Sequence, residues 1–141
     1  MKQVLIVIIL VLVPAAARAQ RTMIGDPHFT FTTSVVVQNL HQDVEAAAMD
    51  CEVRDTTSPG AVIGQTLQTF SLDGTGSYSG TVVVAVRADE GKDPADGNLY
   101  ACNIVLRKKG TTEWVNPSRQ GETWQKPSDA QFYSGGQGAI P

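Results

Sequence analysis

The twelve residues at positions 95–106, ADGNLYACNIVL, decide the fold class of this chain. After the turn signal Asp-Gly, apolar side chains occupy every second position, at Tyr100, Cys102, Ile104 and Leu106. Side chains two apart lie on one face of a β-strand, so the pattern predicts a strand with a buried face. The intervening positions include Ala and Val, which favours partial burial of the other face as well.

A second strand of this kind surrounds the other cysteine. In residues 47–54, Ala, Met, Cys51 and Val alternate with Ala, Asp, Glu and Arg. One set is apolar and the other largely charged, which indicates a half-buried strand. Both cysteines therefore belong to inward-facing sets, and we expect both sulfur atoms in one core. The alanine-rich residues 44–49 are the one place where a helical turn competes.

The rest of the chain also has strand composition. Segments rich in Val, Thr and aromatic residues lie at 29–37, 62–72 (interrupted by Gly64), 78–88 and 111–115. Turn signals separate them at 58–60, 73–76 and 93–97. About seven short strands between such turns predict an all-β fold, an antiparallel sandwich or a barrel.

The N-terminus has the pattern of a signal peptide. Lys2 precedes an unbroken aliphatic run at 4–13, which Pro14 ends, and small residues flank Arg18 before a predicted cleavage between Ala19 and Gln20. The run is shorter than the roughly 20 residues that span a bilayer; an uncleaved anchor is the alternative. We expect a signal peptide at 1–19, a domain at 20–116 and no membrane span after cleavage.

The composition of the mature chain limits its partners. From residue 20 onward it has 9 basic and 14 acidic residues, a net charge of −5. Nucleic acid is excluded as a partner, because phosphate binding needs concentrated Lys and Arg; the one basic run, residues 107–109, is typical of a solvated turn.

The Pro/Gly-rich tail at 117–141 has few aliphatic residues, so we expect it to be irregular. Alternatively, its aromatic residues dock on the sandwich or bind something else; they are Trp124, Phe132 and Tyr133.

Cys51 and Cys102 are the only cysteines. In an exported protein an even number of cysteines predicts pairing. Two free thiols or a metal pair are the alternatives. Neither cysteine has a second Cys or a His at ligand spacing, which weakens the metal alternative.

The spacing Asp96-x-x-x-Tyr100-x-Cys102 resembles the F strand of immunoglobulin-like domains. The resemblance implies a tyrosine corner formed by Tyr100 near Asp96, and a disulfide between facing sheets that joins Cys102 to Cys51. The chain departs from the family because no Trp follows the first cysteine; the first Trp is Trp114.

Candidate chemistry is sparse in this sequence. Neither His28 nor His41 has a metal-ligating or acidic partner at ligand spacing, and no Gly-x-Ser-x-Gly elbow is present, so we expect no catalytic site and no resident metal. One loop concentrates four carboxylates that suit the oxygen chemistry of Ca²⁺: Asp89, Glu90, Asp93 and Asp96. A plain solvated loop is the alternative. Apart from that calcium, no cofactor is expected.

These features predict an exported, non-enzymatic binding module of a bacterial envelope. The loops 55–60 and 89–98 would carry recognition, and the partner would be an unidentified protein or glycan. One alternative is a structural subunit of a surface assembly that exchanges its N-terminal strand or tail between copies. Another is an enzyme of unassigned class.

Overall fold

β-strands are the main secondary structure of the residues that the computed structural model describes, which are 18–22, 25–58, 60–117, 132–133 and 136–140. A single 3₁₀ turn, Pro94–Asp96, interrupts the strands. The strands are β1 Arg18–Arg21, β2 Phe29–Val37, β3 Val44–Asp55, β4 Ala61–Phe70, β5 Tyr78–Val86, β6 Leu99–Lys108, β7 Phe132–Tyr133 and β8 Gly136–Ala139. This part of the chain includes no helix with the length and apolar character that a bilayer crossing requires.

Two antiparallel sheets form the layers of the fold. The first has the order β1-β2-β5, with β7 also paired to β2, and the second has the order β4-β3-β6-β8. The predicted all-β, antiparallel, layered architecture is confirmed. The alanine-rich residues 44–49 belong to β3, so the competing helical turn does not form.

The core lies between the sheets and follows the predicted alternation. Tyr100, Cys102, Ile104 and Leu106 of β6 are all buried, as are Ala47, Met49, Cys51 and Val53 of β3. The first sheet contributes the facing set: Phe29, Phe31, Val35, Val37, Val82, Val84 and Val86. Burial of these apolar side chains, at about 25 cal/mol per Å², is what joins the layers.

The disulfide forms as predicted between Cys51 and Cys102, but it does not connect the two sheets. The two residues face each other across the neighbouring strands β3 and β6 of one sheet, with their Cα atoms 4.1 Å apart. The expectation of an inter-sheet bond, drawn from the immunoglobulin-like resemblance, was wrong. Strand alternation tells which face a side chain occupies, and two inward-facing residues on adjacent strands meet just as well as two on facing sheets.

A β-bulge bends β4 against the end of β5. The register of β4 on β3 shifts at Ile63, between the pairs Val53–Gly64 and Arg54–Val62. A bulge increases local twist and turns the strand away from its sheet. The carbonyl of Ile63 there accepts a hydrogen bond of 2.7 Å from the Asp89 N–H.

Gly64 is required by the close approach at this bulge. A Cβ at this position would lie 2.2 Å from the carbonyl oxygen of Arg87. The glycine that interrupts the predicted strand pattern therefore lets β4 continue while it contacts the opposite sheet.

The C-terminal region differs from its predicted form. The expected strand at 111–115 is reduced to an isolated bridge between Val115 and Leu106. The tail, expected to be irregular, contributes β7 to the first sheet and β8 to the second. Gly138 explains the close fit of β8, because a Cβ there would lie 3.1 Å from the Tyr100 ring. Trp124 lies outside the described residues.

The N-terminal strand crosses the predicted cleavage site. β1 pairs antiparallel with β2 from Arg18–Thr32 to Arg21–Phe29. Residues 1–17 lie outside the described part of the chain, so the signal peptide stays a prediction. Cleavage after Ala19 would leave Gln20 and Arg21 as the paired remnant of β1.

Candidate functional site

Two loops that are far apart in the sequence meet at one end of the sandwich. The backbone N–H of Asn98 donates to the carbonyl of Arg54 at 3.1 Å, and the side-chain Oδ1 of Asn98 accepts from the Thr56 N–H at 3.0 Å. These bonds join the predicted recognition loops, 55–60 and 89–98, into one surface. We call residues 25–28, 55–58 and 87–98 the loop end.

The first loop is held by a carboxylate at its base. Oδ1 of Asp55 accepts hydrogen bonds from the Thr57 backbone N–H at 2.8 Å and from the Thr57 hydroxyl at 2.6 Å. The hydroxyl, and then the N–H, lower the pKa of Asp55 below its ordinary value, because both donors favour the charged form. Asp55 is itself buried, so the base of this loop is fixed against the interior of the protein.

The second loop has a similar internal support. Oδ1 of Asp93 accepts from the Ala95 N–H at 2.8 Å and so caps the 3₁₀ turn. Nη1 of Arg21 donates to the carbonyls of Ala95 and Gly97, both at 3.2 Å. The last residue of β1 thereby fixes a loop more than 70 residues away in the sequence.

The segment 25–28 completes this end of the molecule. Asp26 forms an ion pair with Arg87, directly after β5. Nδ1 of His28 accepts a hydrogen bond of 3.1 Å from the Ala88 N–H. His28, which the sequence analysis placed outside any site, therefore joins the segment before β2 to the segment after β5.

The four predicted calcium ligands are exposed side chains of this surface: Asp89, Glu90, Asp93 and Asp96. One oxygen of Asp93 is already committed to the 3₁₀ turn. Within the described residues, no three His, Cys, Asp or Glu side chains are grouped so that they could hold a metal ion. The structure thus displays these carboxylates separately, and a calcium site stays a prediction.

Tyr100 lies in the core rather than on the loop surface. Its side chain is 6% exposed, and its ring stacks on Phe31 with centroids 4.9 Å apart. Asp96 is exposed at the end of the 3₁₀ turn. The tyrosine corner stays a prediction, whereas the inward orientation of Tyr100 and Cys102 is observed.

The two histidines are separated by the whole length of β2. His28 precedes that strand and His41 follows it. Nδ1 of His41 lies 3.4 Å from Oδ2 of Asp43, in an exposed pair, so the expectation that this histidine has no acidic partner nearby was wrong. The structure therefore does not bring the two histidines into one acid–base site.

The turn between β4 and β5 has a structural role at the opposite end. Oδ1 of Asp73 accepts from the Thr75 hydroxyl at 2.7 Å and from the Ser77 N–H at 2.9 Å. The Thr75 hydroxyl, followed by the backbone N–H groups of Ser77 and Thr75, lowers the pKa of Asp73. The hydroxyl of Ser77 accepts from the Asn39 N–H at 3.1 Å, so this serine supports a turn.

The outer face of the second sheet carries a feature that the sequence analysis missed. The guanidinium carbon of Arg107 lies 5.0 Å from the centre of the Trp114 ring, a cation–π contact. Trp114 borders an open cleft of about 280 Å³, lined also by Asp50, Asn103 and Glu113. The basic run 107–109 is therefore partly engaged by an aromatic partner that its composition did not reveal.

The loop end and the Trp114 cleft are thus two polar surfaces that the described residues build from several elements. Comparison with known proteins finds no family model, no curated protein and no solved structure that matches this chain.

Proposed function

We propose that this chain is an exported, non-enzymatic binding module and that the loop end is its recognition surface. The observation that carries the proposal is the pair of hydrogen bonds by which Asn98 joins its loop to Arg54, near the end of β3, and to Thr56 of the loop 55–60. A surface already joined in this way loses little conformational freedom on binding, which favours affinity.

Export is supported by two independent features. The disulfide between Cys51 and Cys102 is consistent with an oxidising compartment, and the N-terminal pattern predicts a signal peptide at 1–19. We place the protein in the envelope or outside the cell of a bacterium. The two-layer antiparallel architecture supports an immunoglobulin-like assignment, although the disulfide within one sheet does not.

The chemistry of the loop end indicates the kind of partner. The loop 89–98 carries four exposed carboxylates and one exposed ammonium group, that of Lys92, while Arg87 is paired with Asp26. Such a surface attracts cationic groups and accepts hydrogen bonds from hydroxyls. A protein with a basic patch, or a glycan, fits it; nucleic acid does not.

Two matched double variants test the proposal. Asp89→Asn with Glu90→Gln removes two charges from the loop end, and Asp43→Asn with Glu113→Gln removes two charges elsewhere. The immobilised mature protein is used to capture proteins and polysaccharides from an extract of the native envelope. We expect the first variant to lose the captured partner and the second to retain it. Equal capture by both, or equal loss, contradicts the proposal.

A loop variant adds a test that does not depend on charge. Asn98→Ala removes the side-chain acceptor of Thr56 and leaves the backbone bond to Arg54. Since one such bond contributes about 1 kcal/mol, we expect about fivefold weaker binding of the captured partner. Unchanged affinity would mean that loop cohesion is not used in recognition.

A structural subunit that exchanges strands is the second candidate. It is favoured by the pairing of β2, whose outer edge is shared by β1, at Phe29–Thr32, and β7, at Val36 and Val37. Short strands from the two chain ends are well suited to exchange between copies. Deletion of residues 132–141 should then abolish polymers that the mature chain forms; polymers that persist exclude exchange of β7 or β8.

A further inference from the structure

β4 and β5 are the two long strands that pair with a single neighbour in the described part of the chain. The outer edge of β2 pairs with β1 at Phe29–Thr32 and with β7 at Val36 and Val37, and that of β6 pairs with β8 and, at Leu106, with Val115. On β5, the Tyr78 side chain lies over Gly80, and its hydroxyl donates to the Thr81 carbonyl at 3.3 Å. β4, at the end of its sheet, pairs with β3 alone.

The register determines which backbone groups β4 presents outward. The Cα distance of 4.1 Å between Cys51 and Cys102 is that of a non-hydrogen-bonded pair. The backbone groups of Cys51 therefore point to β4, where its partner is Thr66. By alternation, the N–H and C=O groups of Gln65, Leu67 and Thr69 point away from the sheet.

Two hydrogen bonds agree with this orientation. The Thr69 carbonyl accepts from the side chain of its neighbour Gln68 at 3.2 Å, which places that carbonyl outside the β3–β4 ladder. The Ile63 carbonyl, two residues before Gln65, accepts from the Asp89 N–H. In the described residues, the outward row is thus occupied at Ile63 and open at Gln65 and Leu67, while the Thr69 carbonyl carries one bond from an exposed side chain.

β4 has a protective bulge at Ile63, but it lacks two other features that keep sheet edges apart. Residues 61–70 contain no charged residue and no proline, which are the usual protections against edge pairing. Leu67 is 36% exposed and is one of two large apolar side chains exposed in the described residues, with Val83. An uncharged edge with a central exposed leucine is a template for another strand.

We propose that two copies of this chain dimerise through β4, antiparallel, about a two-fold axis at Leu67. In this register Leu67 faces Leu67 of the other copy, and Gln65 faces Thr69. All three are residues with outward backbone groups, so each opposed pair exchanges two hydrogen bonds. The two partners present the same patch, as a two-fold interface requires.

The charge distribution makes this uncharged edge a place where two acidic copies repel each other little. The mature chain has a net charge of −5, so contacts between most other surfaces of two copies are repulsive. The nearest acid to the axis is Asp50, opposite Leu67 on β3. The two Asp50 positions would be three strand spacings apart, about 14 Å, which exceeds the Debye length at physiological ionic strength.

Sedimentation velocity of the mature chain tests the proposal. We expect a monomer–dimer equilibrium within a concentration range of about 1–500 µM. Leu67→Lys places two like charges in contact at the axis and should weaken dimerisation at least about tenfold. The matched control is Val83→Lys, which puts the same charge on the other exposed apolar residue and should leave the equilibrium unchanged.

A proline variant separates dimerisation from folding. Leu67→Pro removes an N–H that β3 does not use, a position that an edge strand tolerates. We expect a chain with wild-type far-UV circular dichroism that sediments as a monomer. A wild-type chain that stays monomeric throughout the range, or a dimer that Leu67→Lys leaves intact, overturns the proposal. Equal weakening by Val83→Lys overturns it as well.

Discussion

Reduction of the disulfide is expected to remove a large part of the stability of this fold. The bond closes a loop with a sequence separation of 51 residues. In the chain-entropy description, such a closure lowers the entropy of the unfolded chain by about 14 cal/mol/K, or about 4 kcal/mol at 25 °C. Because whole domains are stable by only about 5–15 kcal/mol, the reduced protein should remain folded with a narrow margin.

Urea unfolding of the oxidised and reduced proteins, followed by tryptophan fluorescence, measures this loss. With a slope of about 1–3 kcal/mol/M for a small domain, the midpoint should fall by about 2 M. The slope should rise on reduction, because an unfolded chain without the bond is more expanded. Any other effect of the reductant is measured on the double variant Cys51→Ala/Cys102→Ala, which has no disulfide to reduce.

The double variant also separates closure from packing. Cys51 and Cys102 are 0% and 1% exposed, so replacing both by Ala removes two buried sulfur atoms. Each is comparable to a methylene group, and we expect about 1–2 kcal/mol of additional loss relative to the reduced wild type. If reduction lowers the free energy of unfolding by less than about 1 kcal/mol and leaves the urea slope unchanged, the disulfide does not stabilise the fold by closing a loop in the unfolded chain.

Three other perturbations have defined outcomes. Thr33→Val should raise the free energy of unfolding by about 1 kcal/mol, because the buried Oγ1 of Thr33 has no hydrogen-bond partner among the described residues; thermal unfolding measures it. Gly64→Ala should cost about 1–3 kcal/mol, since its Cβ would meet the Arg87 carbonyl oxygen. Asp55→Asn should destabilise the protein at neutral pH and flatten its acid unfolding curve. The folded-state pKa of Asp55 is lowered, so its contribution is complete above the unfolded value of about 3.9 and disappears as the pH falls through the folded value.

Each perturbation has a comparison variant at a residue of the same type elsewhere in the chain. Thr81→Val changes an exposed threonine of the same sheet, and a stability gain equal to that of Thr33→Val would contradict the role of burial. Gly74→Ala should be tolerated, because a Cβ there meets nothing within 4 Å; an equal loss would exclude the clash. Asp73→Asn should flatten the acid limb as Asp55→Asn does, since hydroxyl and N–H donors also lower the pKa of Asp73.

The strands and their buried faces could be predicted because they depend on local periodicity. Around Tyr100 and Cys51 the side-chain pattern alone identifies the inward set. Which strands are neighbours depends on pairings between distant segments, and no local pattern encodes that choice. The disulfide was therefore predicted with the right partners but between the wrong layers.

The candidate site was predictable in its parts and not in its assembly. The loops 55–60 and 89–98 are marked by turn residues and charge, whereas their union depends on Asn98, an ordinary polar residue in the sequence. Arg21 and His28 join the same end through backbone acceptors and donors, and such partners leave no spacing signal. Gly138 likewise has a role only because Tyr100 faces it.

The position of β7 and β8 has a consequence for the order of events during synthesis and export. Residues 132–139 supply one short strand to each sheet, and in a chain made from its N-terminus they emerge after β1 to β6. Until then the sandwich has its core strands, but the edges of β2 and β6 that β7 and β8 will cover are unpaired. A polypeptide that stalls or is cleaved before residue 132 would keep those edges exposed, so the synthesis of residues 132–139 also protects the outer edges of β2 and β6 from pairing with other chains.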